Sequence, residues 1–149
     1  MTPRRVVIGV GNSWRGDDGA GIELARRLAD AAPEGLRVSA REGDLAALIE
    51  EWGDALDVVV VDAACSGAPP GSIRCFDAAL GPLPATTLRS STHTFGVAQA
   101  IELARVLGRL PARLRIYAIE GASFELGAGL SPEVESAVGK LAADLARAG

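Results

Sequence analysis

Lysine, histidine and cysteine are nearly missing from this 149-residue chain: Lys140 is its only lysine, His93 its only histidine, and Cys65 and Cys75 its only cysteines. Two cysteines cannot build a disulfide scaffold, and their spacing matches no zinc template, so both are expected to be reduced thiols. Aromatic residues make up 4%, which argues against a stacking platform for single-stranded nucleic acid. Positive charge is also short, with 15 Lys plus Arg against 19 Asp plus Glu. That balance leaves no electrostatic footprint for a phosphate backbone, so no nucleic-acid partner is expected. No apolar run approaches the roughly 18 residues of a membrane span. The run that follows Arg5 is interrupted by Gly9 and Gly11 and is too brief for the core of a signal peptide. A cytoplasmic protein with no membrane partner is the expectation.

What is present is apolar and periodic. Hydrophobic residues make up 48% and charged residues 23%, enough to bury a core that offsets chain entropy, and the length suits one domain over 1–149. Val6 to Val10 reads as a strand buried on both faces. Asp17 to Ala32 reads as a helix with Ile22, Ala25, Leu28, Ala29 and Ala32 on its apolar face. Leu36 to Arg41 is a second strand. Leu45, Leu48, Ile49 and Trp52 follow helical spacing, with Asp44 as N-cap and Gly53 as C-cap. Four valines, Val58 to Val61, end at Asp62 and belong at the sheet centre. Ser72 to Phe76 is a short edge strand, and Asp77 to Thr92 is an irregular, flexible connection long enough to be functional. Thr94 to Leu107 is helical and Leu114 to Ile119 is a last strand. Ser131 caps a final helix that opens with Pro132 and buries Val134, Val138, Leu141 and Leu145.

Strands alternating with helices imply parallel pairing through right-handed crossovers. The expected fold is a three-layer α/β/α sandwich around a mostly parallel five-stranded sheet. Ligands of such sheets bind beyond the carboxyl ends of the strands, which selects Gly11, Asn12, Asp17, Asp18, Asp62 and Glu120 as site or cleft-lining residues. The glycines around Asn12 invite a dinucleotide reading, but Trp14 stands where the third glycine belongs, and two carboxylates at a helix start repel a pyrophosphate. Taken singly, Asp17 reads as an N-cap, Asp18 as a first-turn acid and Asp62 as a loop cap. Taken together, Asp18, Asp62 and His93 fall on one predicted sheet edge, and two carboxylates with one imidazole suit a borderline divalent metal: zinc, iron, manganese or nickel.

The chain closely resembles the hydrogenase maturation endopeptidases. The resemblance is carried by Gly9-Val10-Gly11-Asn12, Gly16-Asp17-Asp18-Gly19-Ala20-Gly21, Val61-Asp62-Ala63, Thr92-His93 to Gly96, and Gly129-Leu130-Ser131-Pro132-Glu133-Val134. It implies an aspartyl-type endopeptidase that removes the C-terminal extension of a nickel-containing hydrogenase large-subunit precursor once nickel is inserted. It implies that Asp18, Asp62 and His93 contact the metal and carry the catalysis. It also implies that nickel arrives with the substrate, leaving the isolated enzyme metal-free. Either a metal-held water or an Asp acting as general base fits the chemistry. A non-catalytic factor that binds the metal-loaded precursor is the alternative.

Overall fold

A computed structural model describes residues 5–31, 33–42, 45, 47–83, 88–92 and 96–147, with Ser91 and Thr92 described by their backbone alone. The strands are β1 (Arg5–Val10), β2 (Leu36–Arg41), β3 (Asp57–Ala64), β4 (Ile73–Asp77) and β5 (Arg113–Glu120). They form one five-stranded sheet in the order β2-β1-β3-β5-β4, with β4 antiparallel at the edge and the others parallel. The helices are α1 (Ala20–Ala31), α2 (Leu48–Trp52), α3 (Val97–Val106) and α4 (Pro132–Arg147).

The two-residue period of the strands distributes the valines between two cores. Val6, Ile8 and Val10 of β1 join Val58 and Val60 of β3, and Leu114 and Ile116 of β5, under α2 and α3. Val7, Val59, Val61 and Ile119 point the other way, against Leu24 and Leu28 of α1 and Val138 and Leu141 of α4. Because both faces are covered, β1 and β3 read as continuous apolar runs. This is the α/β/α sandwich expected, with β3 central. The chain runs from β1 to one side and returns for β3 on the other, so the sheet edge between them is the switch point where ligands of open α/β sheets bind.

Several boundaries differ from the sequence reading. Asp17 does not cap a helix: Gly16–Gly19 is a 3-10 turn and α1 begins at Ala20. The buried face of α1 is Ala20, Gly21, Leu24, Ala25 and Leu28, while Ala29 is exposed and Ile22 half-buried. Wedged between the sheet and α4, the helix centres on Leu24. Ala32 lies outside the described residues. β3 continues past Asp62 to Ala64, where it pairs with Glu120. Leu45 is buried but precedes α2, and Asp44 lies outside the described residues; Gly53 closes that helix by donating to the Ile49 carbonyl at 3.1 Å. α3 begins at Val97, where Gln99 Oε1 accepts the Gly96 N–H at 2.9 Å; Thr94 lies outside the described residues. No helix among the described residues is long and apolar enough to cross a membrane.

Candidate functional site

The site is built where the chain leaves β1. Gly11 has φ +150°, and a Cβ there would lie 2.0 Å from the Asp18 carbonyl oxygen, so only glycine lets the strand end and the 3-10 turn meet. The Asn12 N–H donates to that carbonyl at 3.0 Å, and Asn12 Oδ1 accepts the Trp14 N–H at 2.9 Å. Gly11 and Asn12 are thus the frame of the turn that presents Asp18. Gly21 serves the next step: a Cβ on it would sit 2.4 Å from the Val61 carbonyl oxygen and 2.5 Å from that of Val10. Its absence lets the start of α1 lie directly on β1 and β3. The glycines that suggested a nucleotide are spent on backbone contact.

Asp62 stands on the central strand and faces the α2/α3 side by its register with Val58, Val60 and Ala64. It is fully buried. The Ser90 N–H donates to its Oδ2 at 3.2 Å, while Oδ1 has no hydrogen-bond partner among the described residues. Burial pushes the Asp62 carboxyl up to about 7, the negative charge of Asp18 pushes the same way, and the Ser90 donors offset only part of it. Asp18 is buried as well. Arg89 Nε lies 3.9 Å from its Oδ1, and the Arg89 guanidinium is stacked over the Phe124 ring, 4.2 Å from its centroid.

Ser90 and Arg89 belong to the connection expected to be irregular and flexible. Its described end is instead built into the site. Leu88 is buried and bridges to Ala64, Arg89–Thr92 is a 3-10 turn, and the Ser90 hydroxyl accepts the Val97 N–H at 3.2 Å. The physical reason is the Asp62 carboxylate, which needs a donor from the roof above it. At the other end of this connection Asp77 closes β4 and Ala78 is fully buried; residues 84–87 lie outside the described residues.

The remaining predicted residues are structural in their contacts. Asp17 is fully buried and accepts from the N–H groups of Ala122, Ser123 and Ser131 and from the Ser131 hydroxyl. Ser131 stands at the cap position of α4, where its carbonyl accepts the Glu135 N–H at 2.8 Å, and its hydroxyl donates to Asp17. Glu120 accepts from the Ser66 N–H at 2.9 Å and from its hydroxyl at 2.6 Å, which fastens the loop after β3. His93 lies outside the described residues. Among the described residues no three His, Cys, Asp or Glu side chains form a metal-binding group; what they supply is the Asp18 and Asp62 carboxylates. Oxygen donors of this kind, one of them buried with no partner for Oδ1 among the described residues, fit a divalent cation better than an anion or an apolar ligand. Cys65 and Cys75 are free and exposed.

Sequence reasoning missed Ser90, Arg89 and Phe124. The hydroxyl cluster from Ser90 to Thr94 was a signal for the first; nothing local marks the other two.

A family model described as HycI, hydrogenase maturation protease, matches residues 43–148. The hydrogenase 3 maturation protease of Escherichia coli K12 is 46% identical over 77 residues, which cover 48% of this chain and 47% of that protein. The hydrogenase expression/formation protein HupD of Thiocapsa roseopersicina is 24% identical over 139 residues, 91% of this chain and 63% of that protein. The chain thus spans about half of the first relative and under two thirds of the second. The crystal structure of a [NiFe] hydrogenase maturation protease HycI from Thermococcus kodakarensis KOD1 superposes with TM-score 0.76 at 22% identity, over 97% of this chain and 91% of that one. The hydrogenase-maturating endopeptidase HybD of E. coli superposes with TM-score 0.74 at 21% identity, over 98% and 94%.

Proposed function

Because the chain belongs to the hydrogenase maturation protease family, we propose that it is an endopeptidase that removes the C-terminal extension from the large-subunit precursor of a nickel-containing hydrogenase after nickel insertion. Asp62 is the observation that carries this reading. Two buried carboxylates close enough for one to raise the other, with an Asp62 oxygen that has no hydrogen-bond partner among the described residues, are costly unless a proton or a cation joins them. A divalent metal supplies that charge, and in this reading it is the substrate's own nickel. Asp18, Asp62 and His93 are the residues that hold it.

Nickel placed there by the precursor supplies positive charge beside the scissile carbonyl. The chain's own residues do the rest. Asp18 and Asp62 fix the position of the peptide through its metal, and the buried wall under α2 and α3 limits the water that reaches the site. Asp62, on the central strand beneath Ser90, acts as the general base, taking the proton of the attacking water and returning it to the leaving amine.

The test is direct. Purified protein is incubated with nickel-loaded and with nickel-free precursor, and the precursor mass is followed. The expected result is loss of a C-terminal segment from the nickel-loaded form alone, abolished by His93→Ala. Binding of the precursor without any mass change would make the protein a non-catalytic maturation factor.

A further inference from the structure

The geometry points to Arg89 as a resident counter-cation that competes with free divalent metal for Asp18 and so favours metal presented inside a precursor, an inference that rests on the metal role proposed for Asp18. The guanidinium is held from one side by the Phe124 ring, 4.2 Å to its centroid, and meets Asp18 Oδ1 at 3.9 Å from Nε. That separation exceeds hydrogen-bond range, so the contact is charge against charge without the directional bonds that would close it. Its environment still gives it strength: the Asp18 side chain is 5% exposed and that of Arg89 23%, and an ion pair shielded from water is screened far less than one at the surface.

Phe124 and Asp18, which the Arg89 guanidinium meets, are each tied to the framework. Phe124 sits on the loop whose Ala122 and Ser123 N–H groups are bound by Asp17, the residue next to Asp18. Ser90, the residue next to Arg89, donates to Asp62. One short turn therefore serves both carboxylates, giving a backbone donor to one and a positive charge to the other. A flat guanidinium stacked on a ring is well suited to this, because the stacking persists while its edge yields to another cation.

A hydrated divalent ion arriving at Asp18 must displace or sit beside this charge, and the repulsion weakens its binding. A metal already held within a precursor has part of its charge neutralised by the precursor's own ligands and meets less repulsion. Arg89 acts through Asp18 and touches no reacting atom; it is a positioning residue that sets which form of the metal is accepted.

Isothermal titration of Ni2+ into the purified protein, without precursor, is the experiment. Arg89→Gln should bind Ni2+ at least about tenfold more tightly than wild type, the scale of one shielded charge removed. Arg89→Lys, which keeps the charge, should stay within about threefold of wild type. Phe124→Ala, which frees the guanidinium from its seat, should tighten binding by a smaller factor and stands in if the Gln variant does not fold. Unchanged or weaker binding in Arg89→Gln, or equal tightening in Arg89→Lys, overturns the inference, as does the absence of Ni2+ binding in every variant. Precursor cleavage by wild type is scored separately. Cleavage with no change in Ni2+ affinity removes the counter-cation and leaves the protease; tightened affinity without cleavage does the reverse.

Discussion

Ser131 gives both of its donors to Asp17, its N–H to Oδ1 at 2.7 Å and its hydroxyl to Oδ2 at 2.9 Å, across 114 positions of sequence. Ala122 and Ser123 add N–H bonds to the same carboxylate at 2.7 and 3.1 Å. One side chain thereby ties the loop between β5 and α4 to the turn that presents Asp18. Burial by itself raises the Asp17 carboxyl, and the bonds from Ser131, Ala122 and Ser123 more than reverse it, so it ends below the ordinary carboxylate range.

Asp17→Ala should destabilise the fold by about 3 kcal/mol, because four donors lose their acceptor and those that stay buried carry a desolvation cost. Urea denaturation at neutral pH measures it. The lowered carboxyl adds a sign: its stabilisation is present above the unfolded value of 3.8 and is lost as pH falls below it. The gap between wild type and variant should narrow in acid. An equal gap at pH 3 and pH 7 would remove the carboxylate charge from the account.

Asp62 predicts the opposite slope. Its carboxyl is raised from 3.8 to about 7, so the folded protein holds a proton that the unfolded chain releases, and stability falls as pH rises through that window. Asp62→Asn is neutral at every pH. Wild type and variant should be close near pH 4, with the variant gaining up to about 4 kcal/mol by pH 8, the ceiling set by the size of the shift. Parallel urea midpoints across that range would mean that Asp62 is already ionised when folded.

The sheet was legible because its signals are local. The four valines of β3 alternate between two cores, and the aspartate that follows them is buried on the same central strand, which continues to Ala64 instead of ending at Asp62. The division of labour between Asp17 and Asp18 was not legible. They are adjacent and chemically identical, and what separates them is a set of donors more than a hundred residues away. Arg89 and Phe124 escaped for the same reason, since an ion pair and a stacked ring between distant loops leave no period or spacing in the sequence. The start of α1 was misread because Asp17 has the residue type of an N-cap while its carboxylate is used by another segment.

Gly21→Ala tests the close approach of α1 to the sheet. A Cβ at that position meets two backbone oxygens within 2.5 Å, and backbone cannot swing aside as a side chain can. The helix start must lift off β1 and β3, with a cost above about 3 kcal/mol by the usual scale of overpacking. Thermal unfolding should show a drop of many degrees, and precursor processing should fall with it because the turn carrying Asp18 moves too. A variant of wild-type stability would show that the two segments are not in contact in solution.

Asp62→Asn separates the two roles that its position allows. Asparagine keeps the shape and one oxygen ligand but loses the charge and the basicity. If Asp62 only anchors the metal, the variant should bind the nickel-loaded precursor more weakly, and its single-turnover rate should recover as enzyme concentration rises. If Asp62 is the general base, the rate at saturating enzyme should stay down by about 10²-fold or more, the usual contribution of a positioned base. The second outcome carries a further mark: the saturating wild-type rate should rise with pH until the base is ionised and then level. A plateau that depends on concentration and not on pH would assign Asp62 to anchoring and return the proton transfer to a metal-held water.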